Sequence, residues 1–327
     1  MIVRVGVVGV GVMGADHACK LARVVSGSEV FAVSDFDAGA AGALAAELGA
    51  RVHADGFHLI EDPGVDAVVI ATRDDTHADL VLAALRAGKP VMCEKPLAPT
   101  AAECRELIAA QAALPADLVT VGFMRRFDPA YVALRERVRD GELGVPLVVH
   151  CVSRTVQTYP GGDSASSITN SAIHELDIVP WLLDSPIVEV SWQRGRSSAH
   201  SGSRQDPQIY LLRTASDVLV TVELFLNARY GYDTRCEVVM ETGTAALALP
   251  AQLTVDADRR RGVDYPADWI PRYADAYRIE LQEWIDGIAH NRPSSLAGAQ
   301  DGLRASVVAD ALVESMNSSG AWIAVPS

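Results

Sequence analysis

The chain has 327 residues, of which 49% are hydrophobic and 21% charged, and its net charge at pH 7 is −14. This length exceeds the size at which single cores usually stop growing, so two domains are expected. The negative charge argues against a nucleic acid or an anionic membrane surface as a partner.

The five cysteines are scattered, odd in number and without metal-type spacing. They predict a reduced, cytoplasmic setting and no metal site. The N-terminal residues lack the layout of a signal peptide, and no stretch approaches the roughly 20 apolar residues that span a bilayer. The sequence therefore predicts a cytoplasmic protein that does not enter a membrane.

The first third of the sequence alternates short apolar strands with helices. The strands are nearly continuous in apolar residues, which is typical of a parallel sheet that is covered on both faces. The predicted strands are Ile2–Val8, Glu29–Ser34, Val65–Ala71, Pro90–Cys93 and Leu118–Gly122, and the predicted helices are Val12–Val25, Ala38–Leu48, His77–Ala87 and Ala101–Ala113. This alternation predicts an α/β fold, with an N-terminal Rossmann domain (a doubly wound parallel sheet) over residues 1–122.

After Phe123 the pattern changes to strands that follow one another without long helices. A Gly/Ser-rich loop is expected at 161–167. The predicted strands are Leu147–Arg154, Ile187–Gln193, Gln208–Arg213, Val218–Leu226, Thr234–Glu241 and Ala245–Leu249, and the predicted helices are Pro129–Arg139, Ser171–Leu183, Ala274–Ala289 and Asp301–Ser315. This order predicts a C-terminal α+β domain with a large, mostly antiparallel sheet over residues 123–327.

On one predicted strand of the second domain, one of the two faces carries both apolar and polar residues. The even-numbered residues from Val218 to Leu226 are apolar, whereas the opposite face carries Leu219, Thr221, Glu223 and Phe225. That face is either plain surface or a subunit contact. We expect a homo-oligomer, either a dimer or a tetramer.

Residues Gly9-Val10-Gly11-Val12-Met13-Gly14 form a G-x-G-x-x-G motif between a predicted strand and a predicted helix. In that context Gly9 permits the tight turn, Gly11 lets the backbone approach a pyrophosphate, and Gly14 lets helix and strand pack closely. A chance glycine turn is the alternative. We expect Gly9 to Gly14, including Val12 and Met13, to bind a dinucleotide.

Asp35 stands about 20 residues after the motif, at the end of the second strand. A carboxylate there binds the adenosine ribose hydroxyls and repels a 2′-phosphate, which favours NAD over NADP. The alternative is a helix N-cap or a surface aspartate.

Lys95 lies in Cys93-Glu94-Lys95-Pro96, directly after a predicted parallel strand, and is one of three lysines in the chain. Ligands of open α/β sheets bind outside the carboxyl ends of the strands, and Pro96 restricts the backbone of Lys95. Position alone leaves a functional lysine and a surface lysine equally open.

These motifs, together with Thr72, His77 and His174-Glu175-Leu176-Asp177, resemble the Gfo/Idh/MocA oxidoreductases, and most closely the members that oxidise inositol with NAD. The likeness also includes Val121–Asp128, Asp206–Ile209, Tyr230–Asp233 and Asp268–Ile288, so it covers nearly the whole chain. The resemblance implies Lys95, His174 and Asn170 as catalytic residues. It implies Thr72, His77, Glu94 and Lys95, beside the glycine motif and Asp35, as cofactor ligands. The implied substrate ligands are Lys95, Met124, Arg125, Ser153, Asn170, His174, Asp177 and Tyr232. For Asp177, capping of local structure is an equal alternative, and one of Arg125 and Arg126 is expected to make a domain-interface ion pair instead of binding a ligand.

The chemistry of the two principal residues agrees with those roles. Oxidation of a secondary alcohol needs a base for the hydroxyl proton, and a histidine titrates near neutral pH. A lysine ammonium stabilises the developing alkoxide.

Two positions depart from the pattern of the inositol-oxidising members. Asn170 stands in place of an aspartate, and Ser153 stands in place of a histidine. Either change puts myo-inositol itself in question.

The expected function is therefore NAD-dependent oxidation of a cyclitol, myo-inositol or a close relative, to the ketone. A sugar or aminocyclitol dehydrogenase of the same family is the alternative. An enzyme that uses transient oxidation by NAD to cleave glycosides is a further alternative, and a non-catalytic nucleotide sensor is disfavoured by the Lys95 and His174 pair.

Overall fold

A computed structural model describes residues 2–159, 161–248 and 254–326 of the chain. By internal packing the chain divides into two compact units. The first contains Met1–Met124 and Ala276–Ser306, and the second contains Arg125–Asp275 and Val307–Ser327. The sequence division at residue 122 assigned 276–306 to the second domain, whereas the structure packs this segment within the first unit.

The secondary structure follows in chain order. The strands are β1 (Val3–Val8), β2 (Ser28–Ser34), β3 (Arg51–Val52), β4 (Ala67–Ile70), β5 (Val91–Glu94), β6 (Val119–Gly122), β7 (Pro146–Arg154), β8 (Ile187–Arg194), β9 (Gln208–Thr214), β10 (Leu219–Phe225), β11 (Asp233–Met240), β12 (Gly243–Ala246), β13 (Thr254–Ala257), β14 (Arg260–Val263), β15 (Ala297–Gly298) and β16 (Ile323–Ala324). The α-helices are α1 (Val12–Arg23), α2 (Ala38–Leu48), α3 (Gly56–Glu61), α4 (His77–Arg86), α5 (Ala101–Ala112), α6 (Pro129–Asp140), α7 (Ser164–Ser166), α8 (Ile173–Leu183), α9 (Trp269–Arg272), α10 (Ala274–Ala289) and α11 (Ala299–Asn317).

The first unit is built on a seven-stranded sheet in the order β15-β6-β5-β4-β1-β2-β3. Strands β1 to β6 pair in parallel, and β15 adds to β6 antiparallel. Strands β1, β4 and β5 are almost wholly buried, as their continuous apolar sequences require. This is the doubly wound order, and it confirms the predicted Rossmann sheet. The order reverses between β1 and β4, which is where such sheets bind ligands.

The second unit is built on a seven-stranded sheet in the order β12-β11-β7-β10-β9-β8-β16. Strand β7 pairs with β10 in parallel, and the other neighbours pair antiparallel. The predicted mostly antiparallel sheet is therefore confirmed. On β10 the even-numbered side chains from Val220 to Leu224 are buried, and the odd-numbered ones are half-buried.

Several local predictions need correction. The loop expected at 161–167 contains α7, and the helix expected from Ser171 begins as a π-helix at Ser167–Ala172 that continues into α8. The strand expected at Ala245–Leu249 covers Gly243–Ala246, and Leu249 lies outside the described residues. Short elements such as β3, α3 and the β13–β14 hairpin were not predicted, because two to six residues are too few for a clear period. The described helices include none that is long and apolar enough to cross a membrane.

Candidate active site

The glycine motif forms the turn between β1 and α1, and its three glycines are needed for different reasons. Gly9 has a φ of +86°, which favours glycine. A Cβ on Gly14 would lie 1.8 Å from the carbonyl oxygen of Gly9, so only glycine allows this approach of helix and strand. A Cβ on Gly11 would find no atom of the described residues within 4 Å beyond its chain neighbours. The space in front of Gly11 is therefore open to a ligand.

Two further features face this turn. Val12, the first residue of α1, is 65% exposed although it is apolar. The carboxylate of Asp35 accepts hydrogen bonds from the backbone nitrogens of Val10, at 2.6 Å, and of Asp37, at 2.9 Å. The N-cap of α2 is Asp37, so capping does not explain Asp35. The glycine turn itself holds the Asp35 carboxylate at the end of β2.

Lys95 follows β5 directly and is half-buried, and its peptide bond to Pro96 is cis. Its backbone nitrogen donates to the Oε2 of Glu94 at 3.2 Å. The Oε1 of Glu94 contacts the Nε2 of His17 at 2.7 Å. Glu94, predicted as a cofactor ligand, is thus a buried carboxylate between α1 and Lys95.

His77 begins α4 and is also buried. Its Nδ1 lies 2.8 Å from the carbonyl oxygen of Pro96, and its Nε2 lies 3.2 Å from the carbonyl oxygen of Thr72. His77 therefore ties the segment after β5 to the segment after β4. A direct contact of His77 with a cofactor remains a prediction. The observed contacts show that His77 holds the backbone at Pro96 and Thr72.

In the second unit, the predicted histidine lies near the start of α8. His174 is half-buried, and Asn170 lies in the π-helix that leads into α8. Short π segments within helices are rare and are frequent at functional sites. The sequence predicted one α-helical turn between Asn170 and His174. The structure has a π-helical segment there, whose turn is wider than that of an α-helix.

Two ion pairs fix α8 within the second unit. The Nη1 of Arg125 donates to the Oε1 of Glu175, and both side chains are only 2% exposed. The Nε of Arg126 donates to Asp177 at 3.0 Å. Burial alone would lower the pKa of Arg125, but the neighbouring Glu175 carboxylate raises it well above its ordinary value. Arg125 and Asp177 were predicted as substrate ligands, and the structure gives both of them protein partners.

The remaining predicted substrate ligands are buried in their own units. Met124 lies in a short 3-10 helix and is 1% exposed. Ser153 lies on β7 opposite Leu224 and Thr234. Tyr232 packs edge-on against Tyr273, with ring centroids 6.1 Å apart. Their roles toward substrate stay predictions. An ion pair was expected from one of Arg125 and Arg126, and both arginines form one. Glu175 and His17 were missed as partners, because the type and spacing of a residue do not indicate a contact with a distant part of the sequence.

These residues fit NAD on the geometry of the first unit alone. The open face of Gly11, the N-terminus of α1 and the held carboxylate of Asp35 form a cradle of the kind that binds a pyrophosphate and a ribose. Among the described residues, no group of three or more metal-binding side chains is clustered.

Comparison with known proteins assigns the family. The family model described as "Oxidoreductase family, NAD-binding Rossmann fold" matches residues 3–123, and the GFO/IDH/MocA C-terminal domain matches residues 131–246. An inositol 2-dehydrogenase of Paenarthrobacter aurescens is 54% identical over 98% of both chains. Another, of Saccharopolyspora erythraea, is 49% identical over 95% of this chain and 93% of its own.

A solved structure extends the likeness to the whole fold. The crystal structure of myo-inositol dehydrogenase from Lactobacillus casei, in complex with NAD(H) and myo-inositol, matches with a TM-score of 0.95. It is 32% identical to this chain and covers 100% of it and 98% of its own length. From these matches and the site described above, the chain belongs to the Gfo/Idh/MocA family of NAD-binding oxidoreductases.

Proposed function

We propose that this chain is an NAD-dependent dehydrogenase that oxidises a secondary alcohol of a cyclitol, myo-inositol or a close relative, to the ketone. The observation that carries the proposal is the 54% identity to an inositol 2-dehydrogenase over 98% of both chains. The cofactor cradle around Gly11 and Asp35 supports it independently, because it is derived from the geometry of this chain.

When bound, NAD accepts the hydride that leaves the alcohol carbon. The residues that would hold it are Gly9 to Gly14, at the pyrophosphate, and Asp35, whose carboxylate would accept hydrogen bonds from the ribose hydroxyls. Asp35 also disfavours a 2′-phosphate, because its charge would repel one. Thr72 follows β4 and is a further expected cofactor ligand, whereas the carboxylate of Glu94, at the end of β5, is engaged by His17 and the backbone of Lys95.

The residues of this chain supply the proton chemistry. His174 takes the hydroxyl proton, since an imidazole accepts protons near neutral pH. Lys95, as an ammonium, stabilises the negative charge that develops on the same oxygen. Asn170 holds a hydroxyl of the substrate, and as a neutral amide it raises the basicity of His174 far less than a carboxylate would.

A second candidate is a sugar or aminocyclitol dehydrogenase of the same family. Asn170 and Ser153 favour it, because both differ from the pattern of the inositol-oxidising members at positions that are expected to contact the substrate.

NADH formation with a panel of myo-inositol, other inositols, aminocyclitols and sugars distinguishes the two candidates. Greater activity on an aminated ring than on myo-inositol would favour the second candidate. If Asn170 causes the difference, Asn170→Asp should raise activity on myo-inositol.

Lys95→Ala tests the mechanism. We expect kcat to fall by roughly 10²–10⁴-fold while NADH still binds, because loss of a positioned acid–base or charge-stabilising group has effects of that order. Lys89→Ala is the matched control, since Lys89 lies in the same unit and donates to the carbonyl oxygen of Asp62. Unchanged turnover in Lys95→Ala would contradict the role. Absence of NADH formation by the wild-type enzyme with every alcohol of the panel would contradict the function.

We further propose that the protein works in the cytoplasm as a homodimer or homotetramer. All five cysteines are free thiols, which suits a reducing compartment. The half-buried face of β10, with Leu219, Thr221, Glu223 and Phe225, is the candidate subunit contact, and in a two-fold symmetric dimer it would pair with the same face of the second copy. Light scattering on the purified protein tests the assembly, and a monomeric mass at working concentration would contradict it.

A further inference from the structure

We propose that His17 is a positioning residue for Lys95, acting through Glu94. His17 holds one oxygen of the Glu94 carboxylate, and the other oxygen holds the backbone of Lys95. The inference rests on the proposed function, because it gives Lys95 a substrate to act on.

The imidazole of His17 is wholly buried within the first unit. It lies on α1, one turn after the glycine motif, and its exposed fraction is 0%. Its Nε2 lies 2.7 Å from the Oε1 of Glu94. On another side it meets the ring of Tyr277 edge-on, with centroids 5.6 Å apart. No described residue offers a hydrogen-bond partner to its Nδ1. Among the described residues, Glu94 is therefore the one hydrogen-bond partner of this buried side chain, so packing of α1 alone does not explain a histidine here.

The carboxylate of Glu94 is held on both oxygens. Its Oε2 accepts from the backbone nitrogen of Lys95 at 3.2 Å. Across the sheet, Glu94 stands in register with Gly122 on β6. A Cβ on Gly122 would lie 3.4 Å from the carboxylate carbon, so the carboxylate lies against the bare glycine backbone. This leaves Glu94 little freedom as long as His17 is present.

The charge of Glu94 makes the contact with His17 necessary. Burial by itself would raise the pKa of Glu94, but the hydrogen bond from His17 and the charges of His17 and Lys95 together lower it. Glu94 is thus ionised at neutral pH in a site that is 9% exposed. A buried charge is tolerated only when it is paired and hydrogen-bonded. Without the His17 donor, the Glu94 carboxylate would need another hydrogen-bond donor or positive charge. The nearest positive charge along the sequence is the ammonium of the next residue, Lys95.

The consequence for Lys95 is geometric. On its N-terminal side the backbone is held by Glu94, and on its C-terminal side the carbonyl of Pro96 is held by His77. The flexible lysine side chain therefore starts from a fixed point. Displacing a catalytic group by about 1 Å can cost on the order of 10² in rate without preventing binding. We therefore expect loss of His17 to lower kcat and to leave the affinity for NADH and the KM for the alcohol nearly unchanged.

The experiment compares His17→Leu, His17→Gln and the wild-type enzyme. His17→Leu should lower kcat by roughly 10²-fold. His17→Gln should recover much of that loss, because its amide nitrogen can donate to the same carboxylate oxygen. The matched control is His58→Leu, which removes a histidine–carboxylate contact of equal length, 2.7 Å to Asp55, from the surface of the same unit. The control should keep wild-type kcat.

A readout that does not depend on turnover separates this inference from the proposed function. The chain has three lysines, so the rate at which an amine-reactive reagent labels Lys95 can be followed by mass spectrometry relative to Lys89. The Lys95 to Lys89 ratio should shift in His17→Leu, return toward wild type in His17→Gln and stay constant in His58→Leu. This holds even if the wild-type enzyme reduces no NAD with any cyclitol, which would contradict only the proposed function.

Two results would overturn the inference. One is an unaltered labelling ratio with wild-type kcat in a folded His17→Leu enzyme. The other is a loss of activity in which the Kd for NADH and the KM rise together and His17→Gln rescues nothing, since that is the behaviour of general structural damage. If His17→Leu does not fold, Glu94→Gln decides: its single amide oxygen can accept from His17 or from the backbone nitrogen of Lys95, but its NH2 group cannot accept from either. Wild-type kcat and labelling in that variant would overturn the inference as well.

Discussion

Gly11 and Gly14 lie three residues apart in the same turn, and the structure predicts opposite consequences of an alanine at each. A Cβ at position 14 would lie 1.8 Å from the Gly9 carbonyl oxygen and 2.8 Å from its carbonyl carbon. Both are backbone atoms, so no side-chain rotation can relieve the overlap. A Cβ at position 11 would enter open space among the described residues, and the φ of −64° at Gly11 is accessible to alanine.

The magnitudes follow from these distances. Overpacking costs about 1–3 kcal/mol, and the backbone obstacle places Gly14→Ala at the upper end. The better helix propensity of alanine returns at most about 1 kcal/mol. A net loss of about 2 kcal/mol corresponds to a fall in Tm of roughly 4–8 °C for a unit of this size. Gly11→Ala should leave Tm nearly unchanged and raise the Kd for NADH at least about tenfold, which is about 1.4 kcal/mol.

The assay is a thermal melt without nucleotide together with a fluorescence titration with NADH, on both variants and the wild-type protein. A Gly11→Ala protein that binds NADH with wild-type affinity would show that the open face of Gly11 is not where the pyrophosphate approaches. A Gly14→Ala protein with the wild-type Tm would show that the turn relaxes more easily than its contacts indicate.

Two further variants test the cofactor choice and the support of α8. Asp35→Ser should lower kcat/KM for NAD more than for NADP, because it removes the carboxylate that accepts from the ribose and repels a 2′-phosphate; an unaltered ratio of the two values would remove Asp35 from that site. Arg125→Met should lower the free energy of unfolding by about 3–5 kcal/mol in urea titrations, because it leaves the Glu175 charge buried without its partner. Adding Glu175→Leu should restore part of that loss, and a further additive loss would contradict the pairing.

Much of the first unit could be predicted from the sequence because its signals are local. Continuous apolar strands, intervening helices and the glycine motif each occupy a short window, and the period of the pattern identifies the element. The predicted α2 and α10 agree with the structure at both ends. The cofactor, the family and the fold class followed from motifs of that kind. Single site residues such as Lys95 and His174 were proposed from position and resemblance, and their roles stay predictions.

What the sequence could not determine depends on residues far apart in the chain. The contact between His17 and Glu94 joins positions 77 residues apart, and that between Arg125 and Glu175 joins positions 50 apart. The parallel pairing of β7 with β10 and the packing of 276–306 within the first unit are also long-range. Periodicity reports which face of an element is apolar, but it does not report which distant surface covers that face. That choice is made by the collective burial of apolar area and by the need of each buried charge for a partner, and both are properties of the folded chain.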